Sequence, residues 1–580
     1  MIAEALARPR AERVAAPAPV RRRFLRVGAR RVHYLRAGDG PPAVLVHSSP
    51  ANATLLAPEI AALSRDYTVF AFDTPGFGRS DPLPLDEMTV ADLADAMADT
   101  LQAMAMPPCP VYGTHTGAAI ALEFGARHPE RVTGLVLDGV PAFTTQEFDT
   151  LFGGYFRAFP VSDLGGHYTD LWTRFRDQYA WFPWTARHPD ARNPYDLGTP
   201  ENVHTWVSMY FDAAEHYMPA YRAALRYGQG AIAAAARLQR PAIYCATETD
   251  MLHGHLKRLP PMKPGQEVRS ISPVPAAKHA VIAEGFARFG SPGLAPADRD
   301  GLDGSGGVGR QFLDRASGGQ THLRFAGRPD AAPILLLHDA PGSSAQLEPL
   351  VAALGADRFV IAPDLPGCGE SDPLDGERPA MAQSVAALDA LLEGLKIART
   401  DVYGVGFGAS AAVALARAHP GRVAGLVLEG LLLPTAEERA ALSADYAPPI
   451  AIAPDGSHWY RTWLMLRDSL VWWPWNTRRA VNQRRRPGDF DAQRLHRLTV
   501  DVMRRRATYG HPIHAALEHD AAADLKALSW PLARLTDGAT PLSAYDAELR
   551  ALIPDTPEAR AEDDPLRQAQ LIQRLGRTAA

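Results

Sequence analysis

His115 stands at the centre of Gly113-Thr114-His115-Thr116-Gly117. An imidazole with its unperturbed pKa of about 6.5 serves as base or acid at neutral pH without a partner. It can also attack an activated carbonyl or phosphoryl group directly. The pentapeptide recurs as Gly404-Val405-Gly406-Phe407-Gly408, whose central residue has no side chain. Asp250 and His279 are equally one-sided: Thr540 replaces Asp250, and no histidine follows His519. Ser48 and Ser49 also belong to one copy only. Two histidines and a carboxylate suit acid–base work, and in principle iron or zinc.

That comparison is possible because the chain is a duplication. AVLVHSSPANA at 43–53 returns as ILLLHDAPGSS at 334–344, so His47 corresponds to His338. FAFDTPGFGRSDPL at 70–83 returns with Asp364 opposite Asp73, and residues 110–139 return as 401–430 in the same register. HYTDLWTRFRDQYAWFPW at 167–184 returns as HWYRTWLMLRDSLVWWPW at 458–475. A constant register over so many segments means two copies of one domain of about 290 residues, revising the four domains that length alone suggests. The boundaries read as a loose tail (1–20), a first domain (21–290), a Gly/Asp/Pro-rich linker (291–309) and a second domain (310–580). Features in both copies serve the scaffold; features in the first alone are candidates for chemistry. His47 is therefore structural, and Asp138, matched by Glu429, ranks below Asp250.

Within each copy a two-strand opening precedes short buried strands at Ala43–Val46 and Val69–Phe72, each ending in a Gly/Pro/Ser loop. A strand at Val111–Tyr112 turns into a helix over Thr116–Arg127, and another strand follows at Val132–Leu137. Short apolar strands alternating with helices predict an α/β fold with a mostly parallel sheet covered on both faces. Helical, aromatic inserts at about 142–240 and 431–529 hold nine of the ten tryptophans, with Trp530 at the edge, and read as caps. Trp172 and Arg176 share a helix face and recur as Trp463 and Arg467; packing is the favoured reading and a grip on substrate the alternative. Trp181, Pro183 and Trp184 are read in the same way. The clusters Arg478–Arg479, Arg484–Arg486 and Arg504–Arg506 read as a solvated face.

Composition narrows the partners. The chain is 46% hydrophobic with a formal net charge of −5, which gives no reason to bind nucleic acid or an anionic membrane. No apolar run is long enough to span a bilayer, and three cysteines make no disulfide framework. A cytoplasmic protein is the expectation. Only five lysines among 60 basic residues point to a GC-rich, bacterial source.

Each half resembles the α/β-hydrolase fold superfamily, and within it the capped epoxide hydrolases, haloalkane dehalogenases and carbon–carbon bond hydrolases. The matching motifs are the His-x-x-Pro loop, Asp-x-Pro-Gly-x-Gly-x-Ser-Asp, and the Gly-x-X-x-Gly turn into a helix. The resemblance implies that X, here His115, occupies the strained elbow that usually presents a nucleophile. It implies an acid at Asp250 and a histidine at His279, in the family's chain order. Ser48 and Ser49, with Thr116 after the elbow, fall where the family forms its oxyanion hole. Trp172 falls in the cap. No metal or other cofactor is implied. The expected function is cofactor-free hydrolysis, or lyase-type cleavage, of a small, partly apolar molecule by His115, Asp250 and His279. The second domain would be a structural partner in an intramolecular pseudo-dimer. The alternative is a non-catalytic relative that binds a small ligand or scaffolds a partner.

Overall fold

The computed structural model describes residues 18–213, 216–298, 301–302, 304–484, 486, 488–528 and 532–578. Most of the expected tail, Arg485 and Trp530 lie outside the described residues. The first unit is Met1–Thr150 with Ala213–Ala297. Its strands are β1 (Arg21–Val27), β2 (Arg30–Ala37), β3 (Pro42–Val46), β4 (Thr68–Phe72), β5 (Cys109–Thr114), β6 (Val132–Asp138), β7 (Ala242–Thr247) and β8 (Gln266–Ile271). They form one sheet in the order β1-β2-β4-β3-β5-β6-β7-β8. β2 is antiparallel to both β1 and β4, and the remaining pairs are parallel. Every residue of β3 and β4 is buried, which is why both read as continuous apolar runs.

The strand order positions the site. β3 lies between β4 and β5, so the chain reverses its direction of travel across the sheet there. The loops after β3 and β5 leave the carboxyl edge side by side, with Val46 opposite Gly113. Ligand crevices in open α/β sheets form at such a switch point.

The second unit is Leu151–Asp212 with Asp298–Ala580. Its strands are β9 (Gly304–Asp314), β10 (Gln320–Gly327), β11 (Pro333–Leu337), β12 (Phe359–Pro363), β13 (Thr400–Val405), β14 (Val423–Glu429), β15 (Leu532–Thr536) and β16 (Glu558–Arg560). The order β9-β10-β12-β11-β13-β14-β15-β16 repeats the first sheet. Residues 304–309, expected as linker, belong to β9: Gly309 pairs with Phe325 and Gly304 with Gly327. No helix among the described residues is long and apolar enough to cross a membrane.

The expected first insert is divided: its two ends, up to Thr150 and from Ala213, belong to the first unit. Residues 151–212 group with the second unit, because their aromatic faces meet the helices of the second insert. Tyr168 stacks on Trp459 at 5.9 Å, and Trp172 meets His458 edge-on at 5.2 Å. His167 Nε2 lies 3.1 Å from His496 Nδ1, and His458 Nε2 lies 3.1 Å from His204 Nδ1. His167 and His458 are equivalent residues of the two repeats, so the two inserts meet through like surfaces.

A buried ionic group braces this joint. Arg504 bonds Asp212 and Asp501, each at 2.6 Å. Removing the cation strands two shielded carboxylates, so Arg504→Ala is expected to cost about 3–5 kcal/mol. Chemical denaturation measures that loss, and Arg504→Lys should recover only part of it, since a single ammonium replaces a planar fork.

Candidate active site

β5 ends at Thr114 and the helix Thr116–Arg127 begins two residues later, leaving His115 to make the whole turn at φ 48°, ψ −110°. Such a conformation is costly outside glycine and is held by its surroundings. A Cβ on Gly113 would strike Gly117 O, and one on Gly117 would strike Val46 O, so both flanking glycines are forced by close backbone approach. His115 N bonds Asp138 O at 2.8 Å, fixing the elbow to the end of β6.

The imidazole reaches across to the loop after β7. His115 Nε2 lies 2.8 Å from Asp250 Oδ2, while Asp250 Oδ1 accepts from Leu252 N at 2.7 Å. Burial disfavours charge on the imidazole, but the Asp250 carboxylate, its hydrogen bond and the more distant Asp138 outweigh it and raise the His115 pKa. Burial would raise Asp250; the charge and bond of His115 and the Leu252 N–H bring its carboxyl down to about 2. The ring is 34% exposed, so it is open to a reactant from one side. With Nε2 committed to Asp250, Nδ1 is the nitrogen left for chemistry.

Gly139, at φ 70°, makes room for the ring: a Cβ there would lie 2.5 Å from His115 Cδ2 and 2.9 Å from Nε2. Gly139→Ala is expected to cost about 1–3 kcal/mol and to push the imidazole off Asp250. Turnover and the NMR titration of His115 should then change together. Gly430→Ala, whose Cβ would instead meet Thr540, should cost stability without touching either.

Sequence reasoning placed His279 beside Asp250, and the geometry differs. His279 Nε2 is 4.0 Å from Glu59 Oε1, and both Asp250 oxygens are engaged by His115 and Leu252. The helix Pro275–Phe289 instead presents Lys278, whose Nζ lies 3.6 Å from Asp138 and 3.5 Å from Glu59. Consecutive helix residues point about 100° apart, so adjacency in sequence did not select between them. Asp138, raised by burial against the pull of Lys278 and His115, also accepts from Tyr112 OH at 3.0 Å. Its counterpart Glu429 accepts from Tyr403 and from Gln568, which stands where Lys278 does. The polar cluster is thus common scaffold, but its charged pair Lys278–Glu59 belongs to the first fold, with Gln568 and Leu350 opposite. That asymmetry was the signal available in the sequence.

Trp172 has the packed position that its recurrence in both copies favours. It lies in the joint of the second unit, 2% exposed, and a Cβ on Gly456 would fall on its ring. His47 is structural as expected: its Nδ1–H donates to Ser48 O and Nε2 accepts from Thr74 N, a pattern repeated by His338. Ser48 and Ser49 are buried on the loop after β3, and Ser49 Oγ has no protein partner among the described residues. The amides of Ser49 and Thr116 likewise donate to no protein acceptor there.

The family described as alpha/beta hydrolase fold matches residues 41–178 and 332–471. The chain belongs to the α/β-hydrolase fold superfamily, as a tandem member. Among curated relatives, the proline iminopeptidase of Arabidopsis thaliana is 31% identical over 140 residues, which is 24% of this chain and 35% of that protein. The enzyme of the same name from Neisseria gonorrhoeae is 34% identical over 126 residues, 21% of this chain and 40% of the relative. A third, the (E)-2-((N-methylformamido)methylene)succinate hydrolase of Acinetobacter baylyi, is 30% identical over 112 residues, 19% and 42% of the two chains. The chain thus spans about a third to two-fifths of the length of these relatives. A solved Vigna radiata epoxide hydrolase mutant is 16% identical, with a TM-score of 0.38, covering 47% of this chain and 99% of its own. In this α/β-hydrolase-fold chain the unusual feature is the elbow: histidine in one fold and glycine in the other, at the turn that usually presents a nucleophile.

Proposed function

We propose that the first fold is a cofactor-free hydrolase of small, partly apolar carbonyl compounds, with lyase-type cleavage as the variant of the same acid–base chemistry. The observation that carries this reading is the 2.8 Å bond between His115 and Asp250 at the elbow. Asp250 holds the Nε2–H and stabilises the imidazolium, leaving Nδ1 as general base. Nδ1 takes a proton from water, and the water oxygen attacks the carbonyl carbon. The carbonyl electron pair moves onto oxygen, facing the Ser49 and Thr116 amides. Collapse restores the carbonyl and expels the leaving group, which takes the proton back from Nδ1. Water is consumed and the enzyme is regenerated.

In this reading the second fold is structural, a built-in partner in a pseudo-dimer within one chain, and the substrate is the only external partner. The test is a panel of esters, lactones, epoxides and diketones assayed with wild-type protein and with His115→Gly. Turnover that disappears in the variant supports the assignment. Turnover that persists removes His115 from the mechanism, and ligand binding with no turnover on the panel favours the non-catalytic alternative.

A further inference from the structure

The elbow of the second fold already holds a carboxylate, its own. Asp339 follows β11 at the place of Ser48. Its Oδ1 accepts from Ala340 N at 2.8 Å and from Phe407 N at 2.9 Å, and its Oδ2 accepts from Thr540 Oγ1 at 2.7 Å. Phe407 opens the twelve-residue helix Phe407–Ala418, so its N–H has no acceptor within the helix and lies at the positive end of the dipole. Gly406 stands at φ 59°, and a Cβ there would fall on the Asp339 carboxyl group. Glycine is therefore what admits the carboxylate, which accounts for the missing elbow side chain as a fit. Arg484, bonded to Ala539 O beside Thr540, adds positive charge facing the group.

We propose that Phe407 N, Ala340 N and Thr540 Oγ1 form a carboxylate-binding site that Asp339 fills from within the chain, so that a small free carboxylate occupies it once that side chain is removed. The equivalent amides of the first fold, Thr116 N and Ser49 N, do not make the same receptor. There the third donor is replaced by an acceptor, Asp250, which repels a second carboxylate, and the His115 ring stands where Gly406 leaves space. The second fold is thus held closed by a tethered ligand, independently of what His115 does.

The experiment uses the full chain carrying Asp339→Gly or Asp339→Ser, the latter chosen because serine occupies this place in the first fold. Thermal unfolding near neutral pH is followed against sodium formate and sodium acetate, with sodium chloride at equal ionic strength as control. Both variants should show a saturable, carboxylate-specific rise in Tm of about 3 °C or more, while the wild-type protein stays flat. Adding Thr540→Val to Asp339→Ser should weaken the response at least about fivefold, one lost hydrogen bond to a charged group. A Tm indifferent to formate and acetate in Asp339→Ser, or an equal rise in the wild type, would overturn the proposal. No step uses turnover, so the result stands apart from the assignment of His115.

Discussion

Replacing His115 by glycine is expected to lower turnover by about 10²–10⁴-fold, the usual contribution of a positioned acid–base group, while leaving Tm nearly unchanged. Glycine is the informative substitution because the second fold already makes the same turn with Gly406, at φ 59° against 48° for His115. The variant loses an ion pair but also a strained left-handed residue, and the two effects oppose each other in stability. Exogenous imidazole should restore part of the rate in this variant and none in Asp250→Asn, where the ring remains but its anchor is gone. The pH profile gives the second readout. The base is active when neutral, and the Asp250 carboxylate raises the His115 pKa, so activity should rise with pH through a midpoint above the ordinary histidine value of about 6.5. Asp250→Asn should move that midpoint down while reducing kcat. The same pair makes its full contribution to stability below about 6.5, and loses it as pH climbs through the raised His115 value or falls towards the Asp250 value of about 2. A midpoint unmoved by Asp250→Asn would detach the carboxylate from the imidazole's titration.

Acidification from pH 7 to 5 should unlock the joint of the second unit. Ser162 N donates to His167 Nδ1 and Ala453 N to His458 Nδ1, so both rings carry their proton on Nε2. Each then donates to a bare nitrogen, on His496 and His204 respectively. A proton on either acceptor turns its bond into a clash of two donors. Burial is the leading cause that holds all four neutral, at about 4 for His167 and His458 and about 3 for His204 and His496. Nearby Arg497 and Arg504 push His496 the same way, as Arg506 does for His204. His458 feels Arg506 and Arg461 against Asp455. These pKa values are lowered on folding, so the stabilisation is complete above the unfolded value of about 6.5 and is lost as pH falls towards 4. At pH 5 the loss is on the order of 2 kcal/mol per histidine, and the four do not simply add, because His458 lowers His204 and His167 lowers His496. His496→Asn and His204→Asn each keep an acceptor oxygen while removing the titrating ring. Together they should lower the slope of unfolding free energy against pH between 5 and 6.5 by two histidines' share, since burial also holds His322, His338, His511 and His514 of the same unit below the ordinary histidine value; an undiminished slope would place the acid sensitivity elsewhere.

Much of this protein follows from its sequence alone. The repeat, the succession of strands and helices along each copy and the elbow at His115 are local or periodic features. A constant register and continuous apolar runs record them directly. The candidacy of His115 and Asp250 came from the same source, because each has a counterpart that lacks its chemistry. The tertiary structure decided what those residues touch. Asp250 meets His115 instead of His279 because the loops after β5 and β7 converge at one sheet edge while the helix Pro275–Phe289 turns Lys278 inward. Asp339 was visible opposite Ser48, but its role depends on Gly406 leaving space and on two amides from separate segments pointing at one spot. The regrouping of residues 151–212 rests on aromatic and histidine surfaces whose complementarity is a matter of shape. Periodicity along a chain fixes which face of an element is buried; it carries no record of which distant face lies against it.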